Sequence, residues 1–372
     1  MLKPVHYIYQ LKEWSHFKWN KTGIDPLLAA LRLKQAWLLG QMSGLGFSLR
    51  EEANLQVVTL DIVKSSEIEG EILDAGEVRS SVARRLGIDT GGAIAADRHV
   101  EGIVEMMLDA TANYRQPIND ERLFNWHAAL FPTGRSGITP IVTGNWRNHP
   151  VQQPMQVISG MMGREKVHFL APDANLVPDE MFAFLQWFNN SDDMDTLLKA
   201  AITHLWFVTI HPFDEGNGRI ARAITDLQLA KSDQSNLRFY SMSAQIRKER
   251  NRYYHMLETT QKGSIDITAW LEWFLQCLGR AMDASKEELA IVMQKAAFWK
   301  KHITLSLNAR QQLMVNKILD GYQGYISSSN WAKITGASTD TAVRDINDLV
   351  TKGVLIKGAE GGRSTRYLMS EK

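Results

Sequence analysis

Long stretches of helical periodicity, rarely interrupted by proline, constrain the fold of this chain more than any other feature. Only 10 of the 372 residues are proline. Segments with apolar residues three and four positions apart can therefore continue over many turns. We predict a mostly α fold. The predicted helical segments are residues 25–45, 50–70, 95–114, 119–130, 178–190, 195–210, 217–231, 245–261 and 265–299.

One region between these segments has a different pattern. Residues 141–172 contain Gly, Pro and Asn together with two short β-type runs, Met155–Ser159 and Lys166–Leu170, around a turn at Gly160–Gly163. This pattern is typical of an irregular loop followed by a β-hairpin.

The pattern changes again beyond about residue 303. Three short helical segments precede two strand-like runs that flank a glycine-rich turn, and this order is typical of a winged helix-turn-helix. The segments are Arg310–Leu319, Ser327–Ile334, Ser338–Val350, Val354–Ile356 and Thr365–Met369. We predict three domains: an N-terminal helical region (1–94), a helical core (95–299) and a winged helix-turn-helix domain (300–372).

Composition and charge exclude several classes of protein. With 44% hydrophobic and 22% charged residues, the chain has an ordinary globular composition. The net charge of +1 favours neither nucleic acid nor an anionic membrane as a partner of the whole chain. No apolar run is long enough to cross a bilayer, and the first residues lack the apolar core of a signal peptide. We expect a cytoplasmic protein with no membrane partner.

Residues 211–222, HPFDEGNGRIAR, combine groups that suit a polyphosphate. A proline ends the helix that delivers His211, and Gly216, Asn217 and Gly218 form a tight loop before the next helix. Two glycines let backbone N–H groups converge, and the helix N-terminus adds its positive end. The loop is therefore a predicted anion site.

The side chains around this loop fit the same chemistry. Arg219 and Arg222 are three residues apart and leave the same side of the first helical turn, where cations need an anion. Glu215 is a hard oxygen ligand suited to Mg²⁺ on phosphates. His211 is the group that can accept a proton near neutral pH, so it is the predicted general base.

This segment resembles the signature of the Fic family, His-x-Phe-x-Asp/Glu-Gly-Asn-Gly-Arg-x-x-Arg, at every specified position. The resemblance extends over roughly residues 50–280. It implies a Fic-type helical core with a β-hairpin flap. It also implies a protein adenylyltransferase that uses ATP and Mg²⁺ or Mn²⁺ to place AMP on a Ser, Thr or Tyr hydroxyl of a target protein. Some relatives transfer phosphate or phosphocholine instead, generally with an altered motif.

The resemblance assigns a role to each residue of the motif. His211 would deprotonate the target hydroxyl, and Glu215 would hold the metal on the α- and β-phosphates. Asn217 and the amides of the loop glycines, Gly216 and Gly218, would fix the α-phosphate. Arg219 and Arg222 would hold the β- and γ-phosphates.

Two flanking elements complete the predicted nucleotide site. The hairpin resembles the family's flap, whose edge lets a target segment add as a strand. Its predicted nucleotide-side residues are Val157, Ile158, Ser159 and Gly160. The predicted adenine-side residues are Tyr253, Tyr254 and Gln261.

Glu69, a carboxylate on the inward face of the second helical segment, is the basis for predicting that the chain inhibits its own activity. Glu69 ends a stripe of apolar residues with helical spacing, and a buried carboxylate needs a cation. The Ser/Thr-x-x-x-Glu-Gly/Asn pattern of Ser65, Glu69 and Gly70 resembles the Fic inhibitory motif. It implies that Glu69 pairs with Arg222 and obstructs the γ-phosphate, so that Glu69→Gly activates the enzyme.

The sequence is also compatible with other functions. Residues 301–372 contain ten Lys or Arg and six Asp or Glu, so this region could bind DNA as part of a regulator. Its predicted recognition helix, however, carries Asp340, Asp345 and Asp348, which favours protein docking. Removal of AMP at the same site, with water positioned by Glu69, is a further alternative. Self-modification and a homodimer are also compatible with the sequence.

Overall fold

The computed structural model describes residues 6–88, 95–160, 166–190, 193–302, 304–319, 322, 325–358 and 365–370. Within these residues the chain is mostly α, as predicted, and its strands form three short antiparallel pairs. The helices are α1 Lys21–Ser43, α2 Phe47–Ile68, α3 Ala75–Leu86, α4 Arg98–Ala112, α5 Asp120–Leu130, α6 Val177–Asn190, α7 Thr196–Ile210, α8 Asn217–Asp233, α9 Met242–Lys248, α10 Arg250–Gln261, α11 Thr268–Glu288, α12 Ala290–Lys301, α13 Ala309–Leu319, α14 Ser328–Thr335 and α15 Thr339–Thr351. The strands are β1 Arg135–Ser136, β2 Thr139–Pro140, β3 Gln156–Ser159, β4 Lys166–Leu170, β5 Leu355–Lys357 and β6 Tyr367–Met369.

Two compact units make up the chain, Met1–Ser285 and Lys286–Lys372, and each is described by itself. The three domains drawn from the sequence stay a prediction, and α12 runs across the boundary proposed at residue 299. None of the helices in the described ranges is long and apolar enough to cross a membrane.

The helices α7 and α8 lie at the centre of the first unit. Every residue of α7 from Leu197 to Ile210 is buried, and so is most of α8. A helix that is buried all round needs partners on every side. Here α2, α4 and α5 pack against α8, while α6 packs against α7. Residues 211–216 connect the two central helices, so the packing of this pair fixes both ends of the predicted phosphate loop.

The N-terminal segment of the first unit packs against the hairpin. The rings of Tyr7 and Tyr9 meet the ring of Phe169 on β4 edge to face, with centroids 5.2 and 6.1 Å apart. Further along, the backbone of Lys18 bonds that of Ile265 and Ile267, next to the start of α11. The segment therefore joins the hairpin to the helical core.

The second unit has its own apolar core. Met314, Val315, Trp331, Ile346 and Leu349 are buried together between α13, α14 and α15. The strands β5 and β6 pair antiparallel beside these helices. The three helices and two strands predicted for this region are thus present, whereas residues 359–364, including part of the glycine-rich turn, lie outside the described ranges. Its assignment as a winged helix-turn-helix stays a prediction.

Helix α3 and the strands β1 and β2 had no counterpart in the sequence prediction. The signals for α3 were present: the Asp74 side chain caps the Glu77 N–H, and Gly87 ends the helix at φ 72° in the left-handed region. Two predicted helices are each divided in two. Residues 245–261 form α9 and α10, and residues 265–299 fall in α11 and α12.

Candidate active site

The loop between α7 and α8 bends sharply at both ends. His211 caps α7 with φ 53°, and Gly216 precedes α8 with φ 79°, so both adopt left-handed conformations. A Cβ on Gly216 would lie 2.9 Å from the ring of Phe131, so both its conformation and the available space require glycine. Asn217 closes the loop, because its side chain accepts from the Phe213 N–H (2.9 Å) and donates to the Phe213 carbonyl (2.8 Å).

The N-terminus of α8 has the properties of an anion site. No side chain caps it, and the first N–H groups of a helix have no partner within the helix. Arg219 and Arg222 are both buried in its first two turns. The predicted combination of loop amides, a helix N-terminus and two guanidinium groups is therefore assembled in one place.

Glu69 lies directly on this loop. Its Oε1 is 2.8 Å from Nη2 of Arg222. A Cβ on Gly218 would lie 2.1 Å from the same oxygen. Ser65 holds the other side of the guanidinium, with its hydroxyl 2.8 Å from Nε and its carbonyl 2.9 Å from Nη2. Burial alone would lower the pKa of Arg222. The negative charge of the Glu69 carboxylate opposes this effect, and the pKa of Arg222 is raised.

Gly70 follows at φ 87°, a conformation that suits glycine and turns the chain away from α2. Of the three residues of the predicted inhibitory motif, Ser65 and Glu69 contact Arg222, and Gly70 ends the segment that carries them.

A second carboxylate, that of Glu71, binds Arg219, and this contact was not predicted from the sequence. Oε2 of Glu71 is 2.8 Å from Nη1 of Arg219, and the other oxygen of Glu71 contacts Nε2 of His99. Burial works against ionisation of Glu71, yet His99 and Arg219 lower its pKa. The hydrogen bond to Glu71 in turn raises the pKa of His99. A charged residue two positions beyond Glu69 is the signal in the sequence that could have revealed this contact.

His211 is held with one nitrogen directed away from the backbone. Its Nδ1 lies 3.3 Å from the Val208 carbonyl. Because a carbonyl only accepts, Nδ1 carries the proton and Nε2 keeps its lone pair. Burial lowers the pKa of His211 to about 4, so the imidazole is neutral near pH 7.

Arg147 fixes the backbone of this histidine and was also not predicted from the sequence. Its Nε donates to the His211 carbonyl (2.7 Å), and its Nη2 donates to the Pro172 carbonyl (2.5 Å), just beyond β4. One buried guanidinium thus connects the end of the hairpin to the predicted base. The signal in the sequence was weak, because Arg147 stands alone in an irregular loop.

His127 supports the loop from α5. Its ring stacks on that of Phe213 with centroids 4.2 Å apart. Nδ1 accepts from the Gly144 N–H (3.1 Å), which leaves Nε2 to donate to the Glu215 carbonyl (3.2 Å). Burial lowers the pKa of His127 to about 4, and the neutral ring therefore positions Glu215.

The hairpin residues Val157, Ile158, Ser159 and Gly160 are exposed or half-buried. The register of β3 and β4 shifts between Val157 and Ile158, so His168 on β4 has no partner opposite it. Such a bulge re-aims a side chain. Here Nε2 of His168 meets the Ser159 hydroxyl at 2.5 Å, and Nδ1 meets Glu258 of α10 at 2.7 Å.

The three predicted adenine-side residues differ in their surroundings. Tyr253 is buried, and its hydroxyl lies 2.9 Å from Nε2 of His204. Gln261 is buried and donates to the Thr209 hydroxyl (3.2 Å). Tyr254 is partly exposed, and its hydroxyl donates to the Ile68 carbonyl (3.3 Å) at the end of α2. Their contact with a nucleotide stays a prediction.

Glu215 fits the predicted metal. Its side chain is exposed at the rim of the loop, and it forms no ion pair within the part of the chain that the structure describes. Mg²⁺ is commonly held by one or two carboxylates together with substrate phosphates. A single free carboxylate beside an anion loop matches that requirement.

Comparison with known families agrees with this geometry. Residues 117–229 match the model of the Fic/DOC family. The chain contains a Fic/DOC domain. Residues 7–88 match a second model, that of a domain of unknown function, DUF4172. The Fic/DOC domain thus includes the whole loop up to Arg222, whereas Ser65 and Glu69 belong to the DUF4172 region.

Curated relatives of the Fic/DOC domain are enzymes by name. A "probable protein adenylyltransferase" of Aquifex aeolicus is 28% identical over 117 residues, 32% of this chain and 32% of that protein. The protein adenylyltransferase Fic of Drosophila yakuba is 25% identical over 226 residues, 60% of this chain and 40% of that protein. The chain therefore spans about a third to two fifths of the length of these relatives.

Solved structures share the fold. A Fic family protein from Desulfovibrio desulfuricans superposes with a TM-score of 0.54 at 21% identity, over 93% of this chain and 97% of that one. A Fic domain containing signaling protein from Bacteroides thetaiotaomicron has a TM-score of 0.51 at 18% identity, over 70% of this chain and 95% of that one. The Fic-type helical core predicted from the sequence is confirmed.

Proposed function

We propose that this protein transfers AMP from ATP to a Ser, Thr or Tyr hydroxyl of a target protein. The observation that carries the proposal is the convergence of an uncapped helix N-terminus, two buried arginines and a neutral histidine on the loop of residues 211–222. The names of the curated relatives support the same activity. The target could be another protein or a second site on the chain itself.

The geometry supports a separate role for each group of the loop in this reaction. Nε2 of His211 accepts the proton of the target hydroxyl. The oxygen then attacks the α-phosphorus of ATP, the bond from that phosphorus to the pyrophosphate oxygen breaks, and pyrophosphate leaves with the bonding electrons. Arg219, Arg222 and the N–H groups at the start of α8 hold the phosphates. Since the Asn217 side chain is engaged with Phe213, its role is to shape the loop.

A metal ion fits this reaction. Glu215 would hold Mg²⁺ or Mn²⁺, which supplies positive charge to neutralise the phosphates. His127 keeps Glu215 in place through its backbone carbonyl.

Glu69 is the proposed inhibitor. Its carboxylate occupies Arg222 and the space above Gly218, where a phosphate would otherwise bind. A buried arginine whose carboxylate partner has been removed needs another anion. In Glu69→Gly the phosphates of ATP would take that position, so this variant should transfer AMP much faster than the unaltered protein.

Mass spectrometry of Glu69→Gly tests the proposal. The variant is incubated with each nucleoside triphosphate in turn and a cell lysate. We expect an adenylyl mass on protein side chains with ATP, and its absence in Glu69→Gly/His211→Ala. An adenylyl mass of equal yield in the His211 variant would remove His211 as the base, and no modification with any nucleotide would remove the activity.

DNA binding by the second unit is a second candidate function. The acidic residues of α15 favoured protein docking over DNA binding in the sequence. However, Asp345 is buried and bound by Arg310 at 2.8 and 3.0 Å, and Asp348 pairs with Lys352 at 2.5 Å. Asp340 and Arg344 are the exposed charges near the start of the helix.

A gel shift with the full chain tests this second function. Non-specific binding to duplex DNA should weaken strongly between about 50 and 200 mM salt, because phosphate contacts release counterions. Arg344→Gln should weaken it further. No shift at low salt would leave protein docking, the partner favoured by the sequence, as the role of this unit.

A further inference from the structure

An open cavity of about 680 Å³ lies at the junction of α9 and α10, and its lining is strongly basic. Five of its lining residues are cations: Arg247, Lys248, Arg250, Arg252 and Arg280. Glu249 is its acidic residue. The chain as a whole has a net charge of only +1, so this accumulation of positive charge is local.

Internal contacts neutralise only part of this charge. Glu249 binds Arg280 through both oxygens, at 2.6 and 2.7 Å. Its carboxylate therefore neutralises Arg280 and not the other cations of the cavity. Lys248 and Arg252 are exposed, and neither forms an ion pair with a residue in the described ranges. Arg250 and Arg252 also begin α10, the helix end at which the macrodipole disfavours cations. The cavity therefore has positive charge that residues in the described ranges do not neutralise, and a bound anion would neutralise it.

The cavity is also connected to the inhibitory segment. Nε of Arg247 lies 3.3 Å from Oε2 of Glu67, and Nε of Arg250 donates to the Ile68 carbonyl at 2.7 Å. Ile68 immediately precedes Glu69. Two of the five cations thus hold the end of the helix that places the inhibitory carboxylate on the loop.

We propose that this cavity binds a small anion with two or more adjacent phosphates, and that its binding loosens Glu69 from Arg222. The cavity has the size of a small-molecule site, and clustered arginines suit phosphate oxygens. The anion competes with Glu67 and the Ile68 carbonyl for Arg247 and Arg250. The regulatory part rests on the proposed function, because it concerns the same inhibitory contact. By linkage, the anion and ATP then strengthen each other's binding.

Calorimetric titration of inorganic tripolyphosphate into the full chain, without divalent metal, tests the site. We expect saturable binding that weakens at least tenfold in Lys248→Gln/Arg252→Gln. The matched control is Lys300→Gln/Lys301→Gln, an adjacent exposed pair elsewhere with the same loss of charge, which should change the affinity less than twofold. Orthophosphate should bind at least tenfold more weakly. If tripolyphosphate does not bind, or if Lys248→Gln/Arg252→Gln leaves its affinity unchanged, the proposal that this cavity is the binding site is wrong.

Hydrogen exchange tests the coupling independently of catalysis. At saturating tripolyphosphate, amide exchange in residues 64–71 should rise in the unaltered protein and stay constant in Lys248→Gln/Arg252→Gln. Unchanged exchange at saturation would overturn the coupling. Tripolyphosphate should also raise AMP transfer severalfold in the unaltered protein but not in Glu69→Gly. If Glu69→Gly transfers no AMP, the proposed function fails, whereas the titration and the exchange still decide the site.

Discussion

Two carboxylates from one short segment bind the two arginines of the loop. Glu69 contacts Arg222, and Glu71 contacts Arg219, each at 2.8 Å. A phosphate that approaches either arginine must displace a carboxylate. A bound phosphate would therefore compete with two carboxylates, of which the sequence indicated only Glu69.

We expect Glu71→Gln, introduced into the Glu69→Gly variant, to tighten ATP binding by about three- to tenfold. The neutral glutamine no longer forms a charged hydrogen bond with Arg219, so it competes less with a phosphate of ATP for this arginine. Isothermal titration with ATP measures the change. Glu121→Gln, which removes an exposed carboxylate on α5, is the matched control and should have no effect. Weaker ATP binding in Glu71→Gln would instead mean that Glu71 orients Arg219 for the phosphate.

The pH dependence of the proposed AMP transfer should report on His211, the proposed base. Its pKa is lowered to about 4 by burial, so the neutral base persists as the pH falls well below the ordinary histidine value near 6.5. Between pH 7.5 and 5.5 the rate of Glu69→Gly at saturating ATP should fall less than about twofold. An acid limb with an apparent pKa near 6.5, and hence a fall of about tenfold, would contradict this assignment.

At the scale of elements, the sequence predicted most helices and both hairpin strands, because periodicity and turn residues are local signals. It did not predict the bulge at His168 or the break between α9 and α10. His168 at the bulge contacts Glu258, and Glu249 at the break binds Arg280. Both partners are distant in sequence, so no local pattern records these contacts.

The contacts of His168 predict that it fixes the hairpin on α10. In His168→Ala, amide exchange in β3 and β4 should increase severalfold, while exchange in α7 and α8 stays unchanged. His255→Ala, which alters an exposed histidine of α10, provides the comparison. Equal exchange in both variants would show that other contacts, such as those of Phe169 with Tyr7 and Tyr9, suffice to hold the hairpin.

At the scale of the whole molecule, the Fic/DOC domain supplies the loop, and the DUF4172 region supplies the residues that occupy it. The motif made the loop and Glu69 predictable from the sequence. Arg147, His127 and Glu71 were not, because each acts through a partner that only the packing of the helices brings near. The proposed catalytic and inhibitory functions therefore both depend on how the two regions pack.

Radiolabelled ATP tests the central claim most directly. Glu69→Gly is incubated in a lysate with ATP labelled either at the α-phosphorus or at the γ-phosphorus, beside the unaltered protein and Glu69→Gly/His211→Ala. We predict label on protein from the α-position only, much stronger in Glu69→Gly than in the unaltered protein, and absent without His211. Label from the γ-position, or equal α-labelling in all three proteins, would contradict the account.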